Sequence, residues 1–138
     1  MIHVACSTKS GARHRPSITS TIRRRRPMDN ERFARAIREA GADVQQAEVE
    51  LATAEATEKR TAAKLMFMAE NNHGHKTVAA QTKWADDQEE MFDARVARGT
   101  AKGALAAAKQ NALAAEVAFK TWQTEMATTR AEMRTLMG

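Results

Sequence analysis

A chain of 138 residues with a formal net charge of +5, no Tyr, four Phe and two Trp has room for one domain but little aromatic bulk for a globular core. Its apolar share of 43% is dominated by Ala and Met, and no apolar run approaches the ~20 residues that span a bilayer, which excludes a transmembrane role. The single cysteine, Cys6, excludes an intramolecular disulfide and fits a reducing, cytoplasmic location.

Charge is unevenly placed along the chain. Residues 1–27 hold Lys9, Arg13, Arg15, Arg23, Arg24, Arg25 and Arg26 and no acid, a local charge of +7. Residues 28–138 hold the other 15 bases and all 17 acids, a local charge of −2. This Ser/Thr/Arg-rich leader has no hydrophobic period and reads as disordered. Three readings stay open for it: a stretch upstream of a true start at Met28, a basic arm whose four consecutive arginines displace counterions from phosphate, or an organelle transit peptide. A secretory signal is excluded by the lack of an apolar core.

The body, 28–138, reads as all-α: a long antiparallel helical hairpin of coiled-coil type. Directly after Met28, Asp29-Asn30-Glu31 supplies a helix cap. From there a seam steps by four and three through Phe33, Ile37, Ala40, Val44, Ala47, Leu51, Ala54, Glu58, Thr61, Leu65 and Met68, and nine of these eleven positions are apolar. Sustained over five heptads, that pattern predicts one helix over about 29–70. Asn71-Asn72-His73-Gly74-His75 is then a cluster of turn formers, with a glycine able to take positive φ, so the turn falls at 71–76.

The seam restarts at Thr77, Ala80, Trp84, Asp87, Met91, Ala94 and Arg98 and runs on in phase to Met133 and Leu136. Gly99 and Gly103 each cost about 1 kcal/mol relative to Ala in a helix. Because the seam crosses them unbroken, one helix over about 77–136 is expected, and a three-helix bundle broken near Gly99 is the alternative. Folding back at the turn sets acids Asp43, Glu48, Glu50, Glu55 and Glu58 against Arg95, Arg98 and Lys102, with Glu48–Lys102 and Glu55–Arg95 as expected flanking pairs. Lys59, Arg60 and Lys64 likewise meet Asp86, Asp87, Glu89, Glu90 and Asp93.

In this register the second helix outruns the first by roughly 20 residues, on the order of 30 Å. The overhang carries Phe119, Trp122, Met126, Met133 and Leu136, which a lone helix cannot bury. These are the candidate protein interface, for a homodimer or another protein at residues 115–136.

Chemistry-bearing constellations are sparse. His73 and His75 offer two metal ligands without a third, the acidic run Asp86–Asp93 reads first as a solvated face, and no cofactor motif is present. A narrow Ala-rich seam is expected to leave no cleft of substrate size. Phe119 and Trp122 beside Arg130 and Arg134 are a stacking platform for nucleic acid only if they leave the seam.

The segment AFKTWQTEMATTRAEMR, residues 118–134, resembles small Ala-rich coiled-coil accessory proteins of tailed bacteriophages. The resemblance covers at most Met28–Gly138. It implies a phage accessory protein of unassigned role, acting in the bacterial host cytoplasm, and brings no functional residues. The expected function is a non-enzymatic interaction module that self-associates through its overhang. The alternatives are a nucleic-acid accessory protein using the Arg23–Arg26 arm, and an inhibitor of a host enzyme using the acidic surface at Asp86–Asp93.

Overall fold

The computed structural model describes residues 26–138. Cys6 and Arg23, Arg24 and Arg25 of the leader lie outside the described residues. Among the described residues the regular structure is all helix: α1 (Arg26–His73), α2 (Val78–Asp86) and α3 (Glu89–Met137). Alanine-rich sequence with no proline after Pro27 explains how two helices reach 48 and 49 residues. α1 is helical from the first described residue, so Asp29 lies inside its first turn instead of capping it. A carboxylate there still favours the unpaired N–H groups of that turn.

α1 and α3 run antiparallel. Lys64 of α1 donates to Glu90 of α3 at 3.2 Å near the turn, while Phe33 lies 6.0 Å from Phe119 and 5.5 Å from Trp122, between ring centroids, at the far end. Every seam position of α1 from Phe33 to Met68 is buried or half-buried, and so is every seam position of α3 from Met91 to Met133 except Arg98. The side-chain rhythm therefore turns inward as the spacing demands.

The turn closes at Gly74, whose φ of 70° is the left-handed conformation that glycine adopts without steric cost. The His75 N–H donates to the Ala69 carbonyl at 3.1 Å and closes the end of α1. Thr77 then caps α2, its hydroxyl oxygen accepting from the Ala80 N–H. Gln81, buried, donates its amide to the His75 carbonyl at 3.0 Å and ties α2 to the turn.

Two expectations are corrected. The second helix is not continuous from 77 to 136: it is interrupted at Asp87–Gln88, where Gln88 is extended (φ −81°, ψ 141°) and opens α3. The acidic run explains the break, because Glu89 and Glu90 now sit in the first turn of a new helix, where negative charge is favoured, instead of crowding like charges mid-helix. No break occurs near Gly99, since α3 runs through Gly99 and Gly103, where a Cβ meets nothing within 4 Å. The second correction is of register. Glu48–Lys102 and Glu55–Arg95 do not form. Arg95 and Arg98 both reach Glu58, at 3.8 and 2.8 Å, a shift of about one helical turn produced by the two interruptions around α2.

That shift also shortens the overhang. With Phe33 beside Phe119 and Trp122 and about two turns into α1, roughly three turns of α3 project, on the order of 15 Å.

Candidate functional site

The elbow, where α2 packs against α1 beside the start of α3, holds the densest chemistry. Leu65, Ala85 and Met91 form its buried centre, packed by Ala62, Met66, Met68 and Trp84. α1 buries a wider stripe here than along its shaft, because it faces two helices. On the surface of this core Glu58, with a side chain only 15% exposed, receives Arg98 and Arg95, and Arg95 also binds Asp86. These residues line a cleft of about 450 Å³ with Lys59, Met66, Thr82 and Met91. The expectation that no such cleft exists is thus corrected, since residues of all three helices line this one.

Four of the cleft's charges are spent on each other: Glu58, Asp86, Arg95 and Arg98 pair across α1, α2 and α3 and fix the register. Of the acidic surface at Asp86–Asp93, Asp86 is held by Arg95 and Glu90 by Lys64, both from the chain itself. His73 lies against Trp84 with centroids 4.5 Å apart and the rings tilted by 32°, and no group of three or more His, Cys, Asp or Glu among the described residues is placed to hold a metal ion.

The shaft carries a different feature, which the seam pattern alone does not reveal. Between Val96 and Ala118 the charged residues of α3 are Arg98, Lys102, Lys109 and Glu116. At ~100° per residue these four fall on one narrow strip beside the seam. The whole back of the helix over this stretch is therefore uncharged, and it exposes Val96, Leu113 and Val117, each at least 50% open to solvent. An exposed helix face ordinarily carries the charged residues. On the flank of α3 away from the charged strip, next to Val96 and across the helix from Leu113, lies a shallow groove of about 600 Å³ between Val49, Glu50 and Thr53 of α1 and Ala97, Thr100 and Ala104 of α3.

The candidate interface residues at the far end divide into two groups. Phe119 and Trp122 stack on each other, 6.0 Å apart, and both lie against Phe33, so the chain covers part of their surface itself. Met126 and Met133 are half-buried, and Leu136 is 87% exposed beside Met137 at 89%. Of the arginine arm only Arg26 falls among the described residues, in the first turn of α1. No helix among the described residues is long and apolar enough to cross a membrane. No protein-family model, curated protein or solved structure matches the chain.

Proposed function

We propose that this chain is a non-enzymatic interaction module, an antiparallel coiled-coil hairpin that acts by docking protein against the uncharged back of α3. The observation that carries the reading is the confinement of charge to one strip between Val96 and Ala118, which leaves Val96, Leu113 and Val117 on an open, uncharged face. A helix without charge on its outer side can be covered by a partner without desolvating an ionised group. The exposed Leu136 and Met137 form a separate apolar patch at the tip, in line with the seam. A phage accessory role, in a bacterial cytoplasm, rests on the segment 118–134 alone.

The test is a photo-crosslinking residue placed at Val117 and, as control, at Lys109 on the charged strip. The reading expects protein adducts from position 117 well above those from 109. Equal yields at both positions, or none at either, contradict it.

A further inference from the structure

The uncharged back of α3 is too small to hold a partner alone. Twenty-odd residues at 1.5 Å each, about 10 Å wide, give roughly 300 Å², against about 800 Å² per partner in a stable interface. The docking surface therefore extends across the groove onto α1, and the charges of α1 say what fits there.

Along this side of α1, acids precede a neutral centre and bases follow it: Asp43 and Glu50, then Thr53 and Thr57, then Arg60, with Lys64 beyond it already paired to Glu90 of α3. The midpoints between Asp43 and Lys64 and between Glu50 and Arg60 both fall within about two residues of Thr53. A surface whose charge reverses about its own centre is complementary to itself when turned end over end. We infer that the occupant is a second copy of this chain, lying antiparallel about a two-fold axis at the level of Thr53 and Thr100, which line the same groove. The inference rests on the reading of α3 as a protein-docking face and names the partner.

The local chemistry suits burial. Thr53 and Thr57 donate their hydroxyls to the Val49 and Thr53 carbonyls, at 2.9 and 2.8 Å, so covering them strands no donor. Ala97, Thr100 and Ala104 let the facing helix approach closely. Gln46 donates to the Glu50 carboxylate at 3.1 Å and holds it at the edge of the groove, where the partner's base arrives. A parallel copy sets Asp43 and Glu50 on acids and is disfavoured.

The experiment is sedimentation velocity on the full chain at low ionic strength, with the exposed substitutions Glu50→Arg and Arg60→Glu. The native chain is expected to dimerise reversibly, and each single variant to dimerise about tenfold more weakly because like charges now meet twice. An equimolar mixture of the two variants is expected to recover the dimer, since every crossed pair in the mixed species is again opposite in sign. A native chain that stays monomeric overturns the second copy as occupant, while the crosslinking result at Val117 still decides the docking face independently. A dimer indifferent to both substitutions, or a mixture that fails to recover, overturns this face and its two-fold geometry.

Discussion

The elbow and the shaft of the hairpin follow the same heptad rhythm and end in different states of packing. At the elbow Leu65, Ala85 and Met91 are each 3% exposed and Ala69 is fully buried. Along the shaft, by contrast, the bulkier seam residues Val44, Leu51 and Leu105 are only half-buried. Two helices cover one stripe of each other and leave its flanks open, whereas α2 supplies a third wall. The ion pairs follow the same division. Those joining separate helices cluster at Glu58, Lys64, Asp86, Glu90, Arg95 and Arg98, so the elbow is where the hairpin's register is held.

The largest expected effect is at the elbow core. Leu65→Ala removes a buried side chain and is expected to cost about 2–5 kcal/mol in urea denaturation, while Leu105→Ala, half-open already, costs about 1–2 kcal/mol. Equal losses at the two sites would erase the distinction between the regions. Next is the aromatic closure at the far end: Trp122→Ala is expected to cost about 1–3 kcal/mol by removing its contacts with Phe33 and Phe119. The same change should leave the fluorescence of Trp84, lying against His73, unaltered, which locates the damage at one end.

Glu58→Ala removes the carboxylate that receives both Arg95 and Arg98. A loss of about 1–3 kcal/mol is expected for this partly buried cluster, against less than about 1 kcal/mol for Glu90→Ala at the exposed Lys64 pair. Urea midpoints of the two variants make the comparison. The smallest effects are on the backbone and have opposite signs. Gly74→Ala strains a positive φ and costs about 1 kcal/mol. Gly99→Ala, in an ordinary helical conformation with open space around its Cβ, stabilises by about 0.5–1 kcal/mol. Thermal melts of both variants check the pair.

The seam was legible in the sequence because a four-three alternation of apolar residues admits one inward face, and Phe33 through Met68 occupy it as spaced. The turn at Gly74 was legible for the same kind of reason, since few residues other than glycine take that φ. The break before α3 is hidden in the seam pattern, because Trp84 and Met91 keep phase across it. The signal available was the acidic run around Asp87, a charge on the seam itself, which marks a helix start better than a helix middle. The register error follows from that hidden break, and with it the expectation that Phe119 and Trp122 lack a cover in their own chain. The proposed docking face is invisible in the seam pattern because it is defined by where charge is missing on the opposite side of the helix. An Ala-rich stretch hides that asymmetry until its four charges are placed around the helix.

Hydrogen exchange measured across a range of protein concentrations tests the contrast between elbow and shaft most directly. Amides at 61–69 and 91–94 are expected to stay protected at every concentration. Protection at 46–57 and 96–118 is expected to rise as the chain is concentrated and a partner copy covers that side. Shaft protection that is independent of concentration, or that exceeds the elbow's in dilute solution, would contradict the account.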